Sequence, residues 1–586
     1  MMTILGIDLG TTNSLAVAYV NGEVQMIPNQ FNEYLTPSVV SIDQNNQVII
    51  GKIAKERLIT HPKTTANLFK RNMGTSKKYS LAKSSYSPEE LSAFVIKQLV
   101  EDAKNYLHEE IDELVISVPA YFNAKQRRAT KRAGELLGIK VERLINEPSA
   151  AAISCRSSVE FETFIVFDFG GGTLDVSVVD CFENVVSICS IAGNNNLGGS
   201  DFDIAIFEYF CKENHIISST LEESKKRSLL LQAERIKLEL QDQDSVLMSA
   251  LIDHNKYETL FTETILKNIT VSIFNEIKRV IARAVKDSGF SVDEFSNFIL
   301  VGGSSYMPII QEYLTDLIKI PVVQNQEIDL LVAKGLGKYI GIKQRDETIK
   351  DMVVTDICPF SLSTAVHNRN DPSNSLTHII IPKNTVLPTS KTTVLYALRV
   401  NQKIMNFEVY QGEAMYVHDN LYLGETIIKL PTNTGNKEAV NVTYSYDINS
   451  MLFVEINVIS TKKHYSFLVG DGNRLERVTD TKQIQTIKNM SIKLDKEPEI
   501  QLAIERASRL FAESDINMQT YISEVTNQFQ AIINQSNNNV QKKVKTINQF
   551  NTLLDQIEKN SNIDDLDIFK YNSSSEIDDD DEDLLS

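Results

Sequence analysis

Strand patterns and helix patterns alternate along residues 1–345. Apolar residues recur at helical spacing in Pro88–Leu107 and in Ala124–Leu137, which predicts two amphipathic helices. The apolar runs Leu114–Pro119 and Phe298–Val301 are short and continuous, as expected of buried strands. Strands that alternate with helices are typical of an α/β architecture.

The pattern changes after residue 356. From Ile357 to about Leu468, short alternating segments separated by turn residues predict a separate all-β unit. Beyond Ile484, apolar residues recur at helical spacing, and a polar interruption at Asn534–Asn539 is expected to break the helical segment. The strands expected in the β unit include Thr393–Val400, Asn406–Gln411 and Val440–Tyr446.

A short apolar stretch bracketed by acids joins the two regions. Lys350–Asp356 reads Lys-Asp-Met-Val-Val-Thr-Asp and is flanked by polar residues. We interpret it as a linker that docks on another part of the chain.

Two turns repeat one order of residues about 160 positions apart. Ile7–Asn13 and Phe167–Thr173 each deliver an Asp to glycines, whose backbone N–H groups can approach an anion, and to a Thr hydroxyl. Alternating residues follow both turns, at Leu15–Val20 and Leu174–Val179, so each turn is expected to join two strands. One such stretch alone also fits an ordinary hairpin. Its recurrence predicts a phosphate site between two facing lobes.

Composition limits the classes of function. A chain of 586 residues is expected to hold about three or four structural units. The formal net charge of −18 argues against non-specific binding to nucleic acid or to a membrane surface. Glu576–Asp583 carries seven acidic residues and no basic one, and is interpreted as a solvated tail.

The five cysteines form no C-x-x-C pair, so neither a disulfide framework nor a zinc site is expected. The N-terminus lacks a signal-peptide pattern, and no run of about eighteen apolar residues occurs. A reducing, cytoplasmic location is therefore expected.

Further short motifs accompany the two turns. They are Phe69–Arg71, Val118–Asn123, Asn146–Pro148, Leu197–Gly199, Val301–Gly303 and Tyr410–Glu413. With them, the chain resembles a DnaK-type chaperone of the seventy-kilodalton heat-shock family over essentially its whole length. Asn13 is similar to the bacterial form of the first turn, and Pro28–Pro37 resembles the specialised HscC branch.

The resemblance implies a multidomain fold with an actin-like α/β two-lobed ATPase domain, a β-sandwich peptide-binding domain and a short α-helical lid. The implied boundaries are 1–348 for the ATPase domain, 349–356 for the linker, 357–482 for the β-sandwich, 483–570 for the lid and 571–586 for an acidic disordered tail.

The resemblance also implies slow, Mg²⁺-dependent hydrolysis of ATP to ADP. Asp8 and Asp168 would hold Mg²⁺ through its water shell, which suits an ion that keeps several waters. Lys70 would approach the γ-phosphate, and Glu147 would orient the attacking water. Thr173 completes the implied catalytic set. Taken alone, Lys70 and Glu147 would be an ordinary basic residue and an ordinary turn residue.

The nucleotide would be bound by residues of both lobes. By the resemblance these are Asp8, Gly10, Thr11, Thr12, Asn13, Gly170, Gly171, Gly172, Gly198, Gly199, Glu234, Lys237, Gln241, Gly302, Gly303, Ser304 and Asp329. Gln241 replaces a Ser of the family, and Tyr306 replaces an Arg that commonly stacks on adenine. ATP binding is expected to survive, with altered affinity.

Four residues resemble the coupling elements of the family. Pro119 and Arg127 match its proline switch and relay arginine, while Arg143 and Asp356 match a charged contact between ATPase domain and linker. ATP would favour a docked linker and an open peptide site.

Leu398, Met405 and Phe407 match the peptide-binding pocket and arch positions, and are bulkier than usual, so a narrower pocket is expected. For Phe407, an ordinary core position is an equal alternative. The shortened lid is expected to release peptide faster.

The expected partners are extended or unfolded polypeptides and a J-domain co-chaperone, with the need for an exchange factor left open. A monomer that binds neither nucleic acid nor membrane is expected. Two alternatives remain, a small-molecule kinase of the same superfamily and a nucleotide-sensing peptide-binding protein with little or no turnover. The linker, β unit and helical segment argue against the first, and Lys70 and Glu147 against the second.

Overall fold

The computed structural model describes residues 2–155, 161–252, 255–323, 327–347, 349, 351–368, 371, 373–431, 435–449, 451–469, 490, 492–493, 497–536 and 539–559. The predicted acidic tail at 571–586, linker residue 350 and the expected end of the β unit at 482 lie outside the described residues. Within the described part, no helix is both long and apolar enough to cross a membrane.

The strands and helices of the described residues follow in chain order. The strands are β1 (Ile4–Asp8), β2 (Asn13–Val20), β3 (Glu23–Ile27), β4 (Thr36–Pro37), β5 (Val40–Ile42), β6 (Val48–Ile50), β7 (Thr65–Ala66), β8 (Tyr79–Leu81), β9 (Ser84–Tyr86), β10 (Glu113–Val118), β11 (Lys140–Asn146), β12 (Phe161–Phe169), β13 (Leu174–Phe182), β14 (Val185–Asn194), β15 (Ser245–Ile252), β16 (Asn255–Thr262), β17 (Asn297–Val301), β18 (Val322–Val323), β19 (Val353–Thr355), β20 (Leu362–Val366), β21 (Leu376–Ile381), β22 (Thr389–Tyr396), β23 (Ile404–Gln411), β24 (Leu421–Lys429), β25 (Ala439–Tyr446), β26 (Leu452–Val458) and β27 (His464–Leu468). The α-helices are α1 (Lys52–Thr60), α2 (Pro88–Leu107), α3 (Ala124–Glu135), α4 (Glu147–Cys155), α5 (Gly199–Glu213), α6 (Glu223–Glu239), α7 (Glu263–Ile269), α8 (Val271–Ser288), α9 (Pro308–Ile318), α10 (Leu331–Lys343), α11 (Pro498–Glu513), α12 (Ile516–Gln535) and α13 (Val540–Lys559).

Two mixed sheets repeat one topology. In the first lobe (residues 4–146), β1 pairs antiparallel with β2 and parallel with β10, in the order β11-β10-β1-β2-β3. In the second lobe (residues 161–323), β12 pairs antiparallel with β13 and parallel with β17. Each predicted turn joins the central antiparallel pair of its sheet, so the predicted strand–turn–strand duplication is confirmed.

The helices α4 and α10 lie between the two sheets. Ala151 of α4 and Leu336 of α10 are fully buried in a core that also takes side chains from both sheets, such as Val17 and Val166. Close packing requires a glycine here, because a β-carbon at Gly335 would lie 1.8 Å from the carbonyl oxygen of Ala150. The shared core joins the base of the two lobes.

The β unit consists of two four-stranded antiparallel sheets, in the orders β21-β20-β23-β24 and β22-β25-β26-β27. Their inner faces meet in a common core that includes Val409 and Val442. The predicted strand Thr393–Val400 is wrong in its bounds, since β22 is Thr389–Tyr396. Beyond it, Asn401 adopts a positive φ of 60°, and the side-chain oxygen of Gln402 accepts the N–H of Leu398 at 3.0 Å, which holds a loop instead.

The linker is docked, as predicted. Its strand β19 adds to the edge of the second-lobe sheet by parallel pairing with β14, where Val354 lies opposite Val186. The β unit also contacts the first lobe, because the side-chain oxygen of Gln411 accepts the N–H of Ala124 at 3.1 Å.

The helices α11, α12 and α13 form a helical unit with its own core, in which the rings of Phe529 and Phe550 stack 4.2 Å apart. The predicted break at Asn534–Asn539 falls between α12 and α13, although α12 continues to Gln535. The unit packs on α1 of the first lobe, and Arg57 and Glu505 form a buried ion pair at 3.0 Å between them.

Candidate nucleotide site

The two glycine turns face each other at the mouth of the sheets. A β-carbon at Gly171 would lie 1.8 Å from Oγ1 of Thr12, so only glycine allows the second turn to approach the first this closely. Gly302, at the end of β17, adopts a φ of +81°, which favours glycine and brings the chain against Phe169. The turns therefore form a narrow gap lined by backbone.

A cavity of about 660 Å³ lies in this gap, within the size range of nucleotide-sized ligand pockets. The predicted residues that line it are Asp8, Gly10, Thr11, Thr12, Asn13, Lys70, Glu147, Asp168, Gly170, Gly171, Thr173, Glu234, Lys237, Gln241, Gly302, Gly303, Ser304 and Asp329. Gly172, Gly198 and Gly199 lie behind the wall, where the N–H of Gly199 donates to the carbonyl of Gly170 at 2.9 Å.

Buried charges meet at one end of the cavity. Lys70 is 3% exposed and its Nζ lies 3.1 Å from Oε1 of Glu147, while Ser117 Oγ donates to Oδ1 of Asp8 at 2.6 Å. Burial, followed by the charge of Glu147, raises the pKa of Asp8 to about 7 and that of Asp168 well above its usual range. Asp8, Glu147 and Asp168 are therefore all close to the single positive charge of Lys70.

Asp175 belongs to this group and was missed by the sequence interpretation. It pairs with Asp168 across the β12–β13 hairpin, and its Oδ1 accepts the N–H of Tyr121 at 3.0 Å. Burial raises its pKa to about 7. The signal was present, since residues 168 and 175 flank the second turn symmetrically and must face each other in a hairpin.

The donor set fits Mg²⁺ held through water. Among the described residues, no group of three or more His, Cys, Asp or Glu side chains could hold a metal directly. Asp8 and Asp168 nevertheless both line the cavity, and burial, followed by the charge of Glu147, raises the pKa of each. A cation held between them would offset this negative charge. Mg²⁺ commonly binds through one or two carboxylates plus several waters.

The opposite end of the cavity is formed by α1 and α6. Glu234 and Lys237 of α6 and Gln241 just beyond its end line it, and Lys237 Nζ lies 2.7 Å from Asp203 Oδ1. Lys55 of α1 reaches across the cavity mouth to Glu234 at 3.0 Å. Lys55 and Asp203 were missed because a lone surface-type charge carries no sequence signal for a partner far along the chain.

Tyr306 stands on the remaining wall. Its hydroxyl oxygen accepts the N–H of Ile328 at 3.1 Å, beside Asp329. A β-carbon at Gly303 would lie 2.8 Å from Oδ1 of Asp329, so this wall is closely packed. Burial, followed by the charge of Asp329, raises the pKa of Tyr306.

Comparison with known proteins shows the family of the chain. The family model described as "Hsp70 protein" matches residues 4–85 and 76–584. Proteins named "Chaperone protein DnaK" from Thermotoga petrophila and Thermotoga maritima are each 32% identical over 502 residues, which is 83% of this chain and 83% of each relative. The chain belongs to the Hsp70 family. Like that family, it is an ATP-dependent chaperone for unfolded proteins and an ATP hydrolase that uses ATP, ADP and Mg²⁺.

Two of the expected coupling residues lie close to the buried Lys70–Glu147 pair. Arg127 is 2% exposed and donates to the carbonyls of Ala120 and Phe122 at 2.9 and 3.0 Å, and to Oδ1 of Asn146 at 2.6 Å. The carbonyl of Pro119, the first residue after β10, accepts the N–H of Phe122 at 3.1 Å. One buried guanidinium therefore holds the loop after β10 and the residue before Glu147.

The linker contact differs from the predicted pairing of Arg143 with Asp356. Asp356 accepts hydrogen bonds from Asn146 at 2.7 Å and Ser149 at 2.8 Å. Arg143 instead lies over the ring of Tyr339, 6.0 Å from its centroid, and no ion pair joins it to Asp356 in the part of the chain that is described. Two neutral donors, Asn146 at the end of β11 and Ser149 in α4, therefore bind Oδ1 of this buried carboxylate.

The three predicted peptide-site residues lie in different environments of the β unit. Leu398 is 55% exposed in the loop after β22, whereas Met405 is half-buried. Phe407 is 2% exposed and packs in the core, which was the alternative that the sequence left open. Leu398 is thus the one of these three that faces solvent.

Proposed function

We propose that ATP turnover in the cavity switches the β unit between an open, docked state and a closed, undocked one. The observation that carries this proposal is the contact of Asp356, directly after β19, with Asn146, directly before Glu147. A movement of Glu147 during hydrolysis would move the neighbouring Asn146. The hydrogen bond from Asn146 to Asp356 would then transmit that movement to the linker. The docked arrangement is assigned to the ATP-bound chain.

Residue roles in hydrolysis follow from charge and position. Lys70 would stabilise negative charge on the transferred phosphoryl group, and Glu147 would orient the attacking water, because phosphoryl transfer depends on positioning and charge neutralisation. Thr11, Thr12 and Thr173 would donate hydroxyls to phosphate oxygens. Asp8 and Asp168 would hold the waters of Mg²⁺, which supplies charge neutralisation of the phosphates when bound.

On the nucleoside side, Glu234 and Lys237 of α6 and Gln241 just after it would contact the adenosine. Lys237 is paired with Asp203 and lies 3.2 Å from the carbonyl of Gly199, so it would be held in place before the nucleotide arrives. The opposing wall would be Gly302, Gly303, Ser304 and Asp329.

The β unit would bind extended peptide through its exposed apolar side chains. In the docked arrangement these are concentrated on β22, β23, β24 and the loop between the first two. They include Val394, Tyr396, Leu398, Val400, Ile404 and Ile427. Main-chain hydrogen bonds combined with apolar contacts favour broad recognition of extended segments. The bulk of Leu398 and Met405 supports a narrower pocket.

We also propose bounds for the domains and a cellular setting. The ATPase domain would comprise residues 1–348, with a two-lobed actin-like fold, followed by linker 349–356, β-sandwich 357–482, helical lid 483–570 and tail 571–586. The protein would act as a cytoplasmic monomer together with a J-domain co-chaperone. The need for an exchange factor is left open. Pro28–Pro37 supports a place in the HscC branch.

The decisive test is ATP turnover of the full chain with and without a hydrophobic peptide. We expect peptide to stimulate turnover, and Lys70→Ala to abolish it while ATP binding persists. Lys78→Ala is the matched control, because Lys78 is an exposed lysine close by in the sequence. ATP binding without any turnover in the unchanged chain would contradict the proposal and favour a nucleotide-sensing peptide-binding protein.

A further inference from the structure

The helical unit touches both walls of the nucleotide cavity. Helix α1 of the first lobe and α6 of the second lobe line opposite sides of the cavity mouth, with Lys55 on one and Glu234 on the other. Release of a nucleotide through this mouth would require the two walls to separate. A structure bound to both walls would resist that separation.

On the first-lobe side, α11 is attached to α1 by charge and packing. Arg57 of α1 pairs with Glu505 of α11 at 3.0 Å, and both side chains are buried. Arg509 of α11 pairs with Glu56 of α1 at 2.5 Å. Leu502 of α11 packs on the small apolar cluster around α1.

On the second-lobe side, two hydrogen bonds attach the unit to α6. Ser228 Oγ donates to Oε1 of Glu513 at 2.7 Å, and Arg235 Nη1 donates to the backbone carbonyl of Glu558 at 2.8 Å. These bonds come from different helices of the unit, α11 and α13. Leu231 of α6 packs on the same apolar cluster as α11 does, so α1, α6 and α11 meet at one point.

Arg509 makes the attachments to the two walls parts of one network. Besides Glu56 of α1, it binds Glu513 at 2.9 Å and Glu558 at 2.6 Å, which are the two residues that bind α6. A shift of α6 away from α1 therefore strains contacts that are centred on one buried guanidinium. Charge-assisted networks of this kind hold their geometry more firmly than isolated neutral bonds do.

We propose that the docked helical unit is a clamp that spans the nucleotide cavity and slows release of bound nucleotide. Release then requires the unit to leave at least one wall, which couples exchange to undocking of the same helices that are proposed to cover the β unit. The inference rests on the proposed function at one point, namely that the cavity binds ATP.

The test is the release rate of a fluorescent, slowly hydrolysed ATP analogue from the full chain after addition of excess ATP. The double variant Ser228→Ala and Arg235→Gln removes the bonds to α6 and leaves the bonds to α1. Two hydrogen bonds are lost, so we expect release to accelerate by about fivefold to a hundredfold. Arg279→Gln is the matched control, because this arginine is 78% exposed on α8 and away from the unit.

Arg509→Gln provides a second, independent variant. It removes the centre of the network, and release is expected to accelerate at least as much as in the double variant. Release rates equal to that of the unchanged chain in both variants would overturn the clamp while leaving ATP binding and the proposed function intact. Failure of the unchanged chain to bind the analogue would overturn the proposed function, and the clamp with it.

Discussion

Asp102 of α2 is a buried acid with an incomplete set of partners. Its Oδ1 accepts a hydrogen bond from Gln98 at 2.8 Å, and its Oδ2 is buried without a hydrogen bond among the described residues. Burial raises the pKa of this carboxyl to about 6. The Asp102 carboxyl binds its proton more tightly in the folded chain than in the unfolded chain. The contribution of Asp102 to the free energy of unfolding therefore falls as the pH rises from about 4 to about 6, and stays low above that.

We therefore expect Asp102→Asn to stabilise the chain at pH 7.5 and to change it little near pH 4. The gain in free energy of unfolding should be on the order of 1–3 kcal/mol, since each pKa unit corresponds to about 1.4 kcal/mol. Thermal unfolding at several pH values measures it. Asp316→Asn, at an exposed site on α9, is the control and should have no such pH dependence. A loss of stability at pH 7.5 would show that the charged form is favoured.

Two substitutions of Tyr306 distinguish a contribution of its aromatic ring to ATP binding from a contribution of its hydroxyl group. Its oxygen accepts the N–H of Ile328 at 3.1 Å, while its ring lines the cavity. If the ring forms the wall for adenine, Tyr306→Phe should change ATP affinity little and Tyr306→Ala should weaken it by about tenfold. Isothermal titration measures both variants. Equal losses in both variants would assign the effect to the hydroxyl.

The sequence placed the residues of both turns at the cavity because their signal is local. The glycines and threonines of both turns line the cavity or lie directly behind it, because a tight turn near an anion restricts residue type over a few positions. Asp203 and Lys55 could not be predicted, since their partners, Lys237 and Glu234, are distant in sequence and any exposed helix carries similar charges.

Among the elements, one of the two predicted helices has its predicted bounds, whereas the helix predicted as Ala124–Leu137 ends at Glu135. The helix Pro88–Leu107 has its predicted bounds, and Ser87 and Glu90 form a capping box at its start. Prediction failed at the end of β22, because Gln402 turns the chain through side-chain bonds to Leu398 and Arg399 that no alternation pattern records.

The linker strand β19 allows a matched test of docking. Val354 is partly buried and packs against the core between the lobes, while its neighbour Val353 is 51% exposed. Val354→Asp places a charge in an apolar contact and should detach the strand, whereas Val353→Asp should leave it docked. We expect peptide stimulation of ATP turnover to disappear only in Val354→Asp. Equal stimulation in the two variants would show that peptide-stimulated ATP turnover does not require a docked β19.

At the scale of the whole molecule, a second segment ties the β unit and helices to the first lobe. Met490 is buried there, where Lys97 Nζ donates to its carbonyl at 2.7 Å. Ile492 forms a parallel bridge with Val48, and the N–H of Lys493 donates to the carbonyl of Val48 at 2.8 Å. Sequence patterns did not predict this contact, because it joins residues about 440 positions apart through a short backbone pairing.

We expect the buried Met490 to help hold the helical unit against the first lobe. A compact chain of this length has a radius of gyration of about 25 Å. Met490→Asp inserts a charge into the core of the first lobe, so in the presence of ATP the helical unit should detach and the radius of gyration should rise by several ångströms, measured by small-angle X-ray scattering. Val540→Asp, at a position 71% exposed on α13, should leave it unchanged. If Met490→Asp stays compact, the ion pairs of α11 with α1 hold the helical unit without this anchor.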